Sequence, residues 1–182
     1  MIICITGQMA AGKNYISSLY EKNGWLCLDA DKQVHNAIKT ATPEILKAFE
    51  KQAAAENISL QNPDGTLNRR NLGRLIFPRP ELLKKQESII YPIIIEETKK
   101  IIKENCGKNI ILNATVLYKT PDLLKMCDKI IFVKARFFVR LKRAIKRDKM
   151  PLRQILSRFW TQRNLFSKYK NTGIPIETVD NN

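Results

Sequence analysis

One histidine, His35, is present among 182 residues. That excludes an HExxH zinc site and a His-rich metal cluster, and it argues against a Ser–His–Asp triad. The four cysteines (Cys4, Cys27, Cys106 and Cys127) form no CxxC pair. Their separation and their apolar or helical settings point to reduced thiols in a cytoplasmic protein rather than to zinc or a disulfide framework. No hydrophobic run is long enough to span a bilayer: the longest, Ile89–Ile95, is short and contains Pro92. Met1–Thr6 is apolar but meets Gly7 without a basic flank or cleavage site, so no targeting signal and no membrane association are expected. Acidic residues are scarce, 17 against 32 Lys and Arg, which gives a net charge of +15. That balance implies an anionic partner, such as a phosphorylated small molecule, nucleic acid or an acidic surface.

Against these absences, 44% of the residues are hydrophobic, which supports one packed domain. Short apolar runs at Met1–Thr6, Trp25–Leu28, Ile110–Leu117 and Ile130–Val133 read as strands, with Glu177–Val179 a fifth. They alternate little, as expected of parallel strands buried on both faces. Helical patterns lie between them, at Gly12–Asn23, in a block from Ala30 to Cys106, at Arg136–Asp148 and at Leu152–Tyr169. The alternation predicts an α/β parallel-sheet fold. The charge is local. From Lys134 to Lys170 there are thirteen basic residues and one acid, Asp148, so this stretch carries +12 of the +15. Phe137, Phe138, Phe159, Trp160 and Phe166 are interleaved with those charges. They are read as the buried face of two amphipathic helices, in preference to a nucleic-acid surface.

The strongest motif is Gly7-Gln8-Met9-Ala10-Ala11-Gly12-Lys13-Asn14, which matches GxxxxGK between a strand and a helix. Gly7 and Gly12 permit a tight loop whose amides face an anion. The helix start adds free N–H groups and a positive dipole end, and Lys13 reaches the β- and γ-phosphates. Asn14 stands where Ser or Thr normally ligates magnesium, and the bulky Tyr15 follows it.

Asn23-Gly24 suits a helix end. Past the second strand, Asp29-Ala30-Asp31 lies at the carboxyl edge, where open α/β sheets bind ligands. One carboxylate is expected to accept a proton from an attacking hydroxyl and the other to organise magnesium water, unless either only caps the following helix.

Together these segments resemble dephospho-coenzyme A kinase. The likeness rests on Ile5–Asn14, on Leu28–Asp31 followed by His35, on Leu67–Phe77, and on Arg147-Asp148 with Gln162 fifteen residues after Arg147. The resemblance implies a P-loop NTPase core of the nucleoside/nucleotide-kinase-like α/β class, built from about 1–30, 107–134 and 171–182. It also implies a helical substrate lobe at about 31–106 and a basic helical lid at about 135–170. Carried onto this sequence, it implies ATP as co-substrate with Mg2+, and dephospho-coenzyme A as phosphoryl acceptor at its ribose 3′-hydroxyl. The ATP site would comprise Gly7, Met9, Ala10, Ala11, Gly12, Lys13, Asn14, Tyr15, Arg143 and Arg147. Asp31, Lys13 and Arg147 would be catalytic, with Arg143 or Arg140 assisting Arg147. Asp31, His35, Arg69 and Tyr91 would meet the acceptor, and Asn14 and Asp29 the metal.

Several positions depart from the family pattern. Besides Asn14, Tyr91-Pro92 replaces His-Pro, with Pro92 expected to begin a helical turn. Thr115–Lys119 lacks the usual proline and acid. The family's C-terminal helix is expected to be absent after Val179-Asp180-Asn181. Another small-molecule P-loop kinase acting on a nucleoside or nucleotide, or a weakly active or non-catalytic homologue binding anions through its basic lid, therefore stays open beside the first reading. A monomer or weak homo-oligomer is expected.

Overall fold

A computed structural model describes residues 1–148 and 150–182. Lys149, one of the thirteen cations of the basic stretch, lies outside the described residues. Two compact units are present: residues 1–30 with 99–182, and residues 31–98.

The first unit is built on a five-stranded sheet ordered β2-β3-β1-β4-β5, with every pairing parallel. Its strands are β1 (Ile2–Gly7), β2 (Leu26–Asp29), β3 (Ile110–Asn113), β4 (Lys129–Lys134) and β5 (Ile176–Asp180). The three central strands are the apolar runs of the sequence. Ile3, Cys4, Ile5, Ile111, Ile130, Ile131 and Val133 are all buried. Continuous rather than alternating hydrophobicity follows from helices covering both faces. Ile3, Ile5, Ile111, Ile131 and Val133 pack with Ala11 and Ile16 of the first loop and helix.

Ile110–Leu117 is not one strand. β3 ends at Asn113 and a 3-10 turn forms at Leu117–Lys119. The ladder runs out once Ala114 has donated its amide to the Ile5 carbonyl. Beyond it, side chains hold the backbone: the Thr115 carbonyl accepts from Thr6 Oγ1 at 3.3 Å and from the Tyr169 hydroxyl at 3.1 Å.

The helices of this unit are α1 (Lys13–Lys22), α6 (Pro121–Leu124), α7 (Phe137–Asp148), α8 (Leu152–Thr161) and α9 (Leu165–Lys170). The expected single helix Leu152–Tyr169 is therefore two helices, with Gln162 as the C-cap residue of α8. The aromatic expectation also needs correction. Phe159 is buried, but Phe138 and Trp160 are 79% and 69% exposed, and Phe137 packs on Phe159 while remaining 47% exposed.

The second unit holds α2 (Ala30–Thr40) from Asp31 onward, α3 (Thr42–Ala55), α4 (Arg69–Ile76) and α5 (Pro80–Glu104) up to Thr98. Ile45, Phe49, Leu75 and Ile76 are fully buried in it. Asn68 caps α4 by accepting the Asn71 amide at 3.0 Å. Pro92 does not begin a turn; it lies inside α5. A proline in a helix interior costs ~3 kcal/mol. Here it sits on the exposed side, while Ile90, Ile94 and Thr98 recur every four residues along the buried side and keep the helix running. Among the described residues no helix is long and apolar enough to cross a membrane.

All four cysteines are free thiols. Burial raises the pKa of Cys4 well above its ordinary value, pushes Cys127 up to about 12, and pushes the half-buried Cys27 up to about 11. A thiol must be exposed and ionised to react quickly. Titrating the native protein with a chromogenic disulfide should therefore show one fast thiol, the exposed Cys106. Cys106→Ser should remove that phase; a fast phase surviving in the variant would show that a second thiol opens readily.

Candidate active site

The phosphate loop leaves β1, the central strand, at the carboxyl edge of the sheet. Its conformation demands particular residues. Gly7 has φ +154°, and a Cβ there would run into the Val133 carbonyl of neighbouring β4. Gly12 has φ +99°, and a Cβ there would meet the Asn181 side-chain amide. Between them Ala10 takes the left-handed conformation, φ 60°. Such angles cost a non-glycine residue energy and hold only where the surroundings enforce them.

The enforcement comes through the loop carbonyls. Gln8 O accepts from Ala11 N at 3.1 Å, Met9 O from Arg140 Nε at 3.0 Å, Ala11 O from Asn181 Nδ2 at 2.9 Å, and Gly7 O from Lys13 Nζ at 3.3 Å. The first turn of α1, opening at Lys13, leaves its N–H groups without intrahelical acceptors. An anion placed there meets those amides, the positive helix end and Lys13.

Beside the loop lies a cavity of about 710 Å³ lined by Ala10, Gly12, Tyr15, Arg143, Lys146, Arg147 and Asn181. Three cations thus border it. Arg143 donates to the Asn181 carbonyl at 2.7 Å. Arg147 forms a fork with Asp148, Nε and Nη2 reaching the two carboxylate oxygens at 2.6 and 2.9 Å. Those hydrogen bonds hold the Asp148 carboxyl below its ordinary pKa. Tyr15 does not crowd the loop: it is 58% exposed and forms part of the cavity wall.

Of the predicted site residues, the structure brings Gly12, Ala10, Tyr15, Arg143 and Arg147 to one cavity, with Gly7, Met9, Ala11 and Lys13 in the same loop. Arg140 stands apart. The resemblance makes it an alternative to Arg143 in assisting Arg147, but it is buried, 6% exposed, and bonded to the loop instead. Asn14 Oδ1 accepts from Nδ2 of buried Asn113, 2.9 Å away at the end of β3. Asp29, ending β2, is in register with Asn113 on the neighbouring strand. Asp31 follows in the first turn of α2.

Within the second unit, Arg69 Nη1 approaches His35 Nδ1 at 2.6 Å. Arginine can only donate, so this ring nitrogen is the acceptor. Both residues line a cavity of about 480 Å³ with Ile38, Lys39, Thr42, Gly65, Thr66 and Leu67. Tyr91, on α5, is not part of that lining.

Sequence reasoning missed five residues as site components: Gln8, Asn113, Lys146, Gln162 and Asn181. Gln8 occupies a variable position of the loop motif. Gln162 lay in a segment that carried the family resemblance and Asn181 in the stretch before the missing C-terminal helix, neither with an assigned contact, and Lys146 was one charge of the basic stretch. Asn113 was detectable from its place at the carboxyl end of an apolar run, where sheet edges bind ligands.

A parallel sheet with a phosphate loop after its first strand, and cationic helices bordering that loop, defines a P-loop kinase of the nucleotide-kinase-like class. TT1252 from Thermus thermophilus has the same fold, with a TM-score of 0.83 at 23% identity over 100% of this chain and 88% of that one. So does dephospho-CoA kinase from Campylobacter jejuni, with a TM-score of 0.67 at 23% identity over 100% and 89%. The model of the dephospho-CoA kinase family matches residues 1–181. The protein of that name from Treponema denticola is 37% identical over 173 residues, covering 93% of this chain and 77% of its own. The one from Treponema pallidum is 30% identical over 187 residues, covering 99% and 86%. The chain belongs to the dephospho-CoA kinase family.

The loop geometry makes Gly12 intolerant of a side chain, since both φ and the Asn181 contact forbid a Cβ. Gly12→Ala should lower unfolding stability in urea by about 2 kcal/mol or more and abolish calorimetric ATP binding. Wild-type ATP affinity in the variant would show that the loop does not need this conformation to bind.

Proposed function

We propose that the chain phosphorylates dephospho-coenzyme A with ATP, moving the γ-phosphoryl group to the ribose 3′-hydroxyl and releasing coenzyme A and ADP. It is thus a phosphotransferase with an alcohol acceptor, working in the cytoplasm. The observation that carries this reading is the loop of Gly7–Lys13, gripped through its carbonyls beside a cavity bordered by Arg143, Lys146 and Arg147, in a chain of this family.

Phosphoryl transfer depends on positioning and charge compensation rather than on covalent intermediates. In this reading the loop amides and Lys13 hold the β- and γ-phosphates. Arg147 and Arg143 offset charge on the migrating group, and Asp31 orients the acceptor hydroxyl and takes its proton. The unit formed by residues 31–98 receives the acceptor, with His35 and Arg69 as polar contacts and Tyr91 a further one. Residues 135–170 form the lid.

Asp29 at the end of β2 and Asn14 in the first turn of α1 fit a hydrated magnesium ion. Asp29 supplies one carboxylate and Asn14 an amide oxygen, both hard donors. Among the described residues there is no cluster of three or more His, Cys, Asp or Glu that would cage an ion by itself. Magnesium usually takes few protein ligands and relies on substrate phosphates and water. When bound it would supply charge neutralisation between the β- and γ-phosphates. The Asn113 hydrogen bond fixes the Asn14 amide so that its oxygen, rather than its nitrogen, faces Asn113.

The direct test is ADP release with ATP, magnesium and a panel of dephospho-coenzyme A, adenosine and common nucleoside monophosphates. Phosphate-specific NMR of the product would locate the new ester. Turnover with dephospho-coenzyme A and a 3′-ester are expected; preference for a nucleoside or monophosphate would replace this reading.

Asp31→Asn should keep binding of both substrates in calorimetry and lose ~10²-fold or more in kcat, the scale of a lost general base. Lost acceptor binding would make Asp31 an anchor instead. Arg147→Ala should act chiefly on kcat, by ~10³-fold, while a purely binding defect would count against a transition-state role. Asn14→Ser restores the hydroxyl common at this motif position. It should lower the magnesium concentration giving half-maximal rate; an unchanged requirement would show that the metal is organised without Asn14.

A further inference from the structure

Arg140 is buried, yet the groups around its guanidinium are neutral. Nε donates to the Met9 carbonyl at 3.0 Å and Nη1 to Gln8 Oε1 at 2.6 Å. The Phe159 ring lies 4.3 Å from the guanidinium carbon. Nη2 has no hydrogen-bond partner among the described residues. Gln162 completes the arrangement: its Oε1 accepts the Met9 amide at 2.6 Å and its carbonyl accepts from Gln8 Nε2 at 3.0 Å. Four hydrogen bonds from α7 and the end of α8 thus converge on Gln8 and Met9, the two loop residues that follow Gly7.

Burying a cation among neutral groups is unfavourable unless its charge is matched. Arg147, on the same helix, has Asp148; among the described residues no hydrogen bond or ion pair joins Arg140 to an acid. Burial accordingly lowers its pKa below the ordinary arginine value. The anion that would match it is the one the neighbouring loop is shaped to hold.

We propose that Arg140 is a positioning residue that fixes the phosphate loop through Met9 and Gln8, and that its charge is balanced when a polyphosphate occupies the loop. It acts on the phosphates through the loop backbone and long-range charge, without touching the migrating phosphoryl. This rests on the reading that the loop binds the phosphates of ATP. It adds that α7 and α8 set the loop's geometry, so nucleotide affinity is tuned from the helices rather than from the motif alone.

The test compares the full-length wild type with Arg140→Met, Arg140→Lys and Gln8→Ala. Thermal unfolding is followed without ligand, with magnesium ATP and with inorganic tripolyphosphate, and steady-state kinetics are measured for both substrates. A ligand that binds only the folded state raises its melting temperature, by an amount that grows with the logarithm of its affinity. Both ligands should stabilise the wild type. In Arg140→Met and Arg140→Lys that stabilisation should fall by more than half. KM for ATP should rise ~10-fold or more, the scale of a lost charged hydrogen bond, with KM for the acceptor unchanged. Lysine keeps the charge but not the fork, so it should not rescue. Gln8→Ala removes the acceptor of Arg140 Nη1 and the donor to the Gln162 carbonyl without touching the helix core, and should raise KM for ATP ~3-fold; it decides the matter if neither Arg140 variant folds.

Ligand stabilisation equal to wild type in the folded variants would overturn the proposal. So would a fall in kcat with unchanged KM for ATP, which would mark Arg140 as a transition-state contact. A wild type that neither ligand stabilises would overturn the nucleotide reading itself, whatever the variants do.

Discussion

A loop that binds phosphate through its amides has to be held by something else, and the carbonyls are what remains. Here the carbonyls of Gly7, Met9 and Ala11 are taken by side chains: Lys13, Arg140 and Asn181. These donors come from three separate parts of the chain, namely the start of α1, the first turn of α7 and the residue just past β5. The rest of the first unit follows from that requirement. β4 must pass close enough to Gly7 that only glycine fits. β5 must bring Asn181 against Gly12. α7 must lie over the loop closely enough to bury an arginine. The sheet order, with β1 flanked by β3 and β4, delivers the neighbours this packing needs.

How much of this was readable in the sequence depends on the range of the interaction. The phosphate loop is local, eight consecutive residues with two glycines, and its anion-binding character follows from that string and the strand before it. The buried parallel strands were equally plain, because burial on both faces leaves a run of Ile, Val and Leu that no surface element would carry. Gln8 and Gln162 are 154 residues apart, and Arg140 and Met9 are 131 apart. Pattern and propensity do not reveal such pairings. Arg140 and Arg143 lie one turn apart on α7 yet serve differently, because a helix resting on a loop can bury one arginine while the next turns open onto a cavity. Pro92 misled for a related reason: a residue-level preference was outweighed by the apolar face of α5, which only packing makes visible.

The basic stretch shows the same division. Read as sequence, thirteen cations with aromatics between them raise a nucleic-acid surface as the second reading, behind the buried face of two amphipathic helices. In the structure several of these charges are committed within the molecule. Arg163 lies 3.9 Å over Trp160, Lys134 sits over Phe166 at 5.0 Å, and Lys168 sits over Tyr118 at 4.9 Å, also donating to its hydroxyl. A cation held against its own aromatic ring gains ~0.5–1 kcal/mol at exposed sites, and leaving that ring for a base would forfeit the contact. Arg140 is beneath the loop and Arg143 holds Asn181. Among the described residues, what faces the loop-side cavity is a small group, Arg143, Lys146 and Arg147, a number suited to a triphosphate rather than to a long backbone. The large net charge is therefore the sum of unlike uses, in which packing, loop support and ligand charge each take a share, and its size alone says little about the size of the ligand.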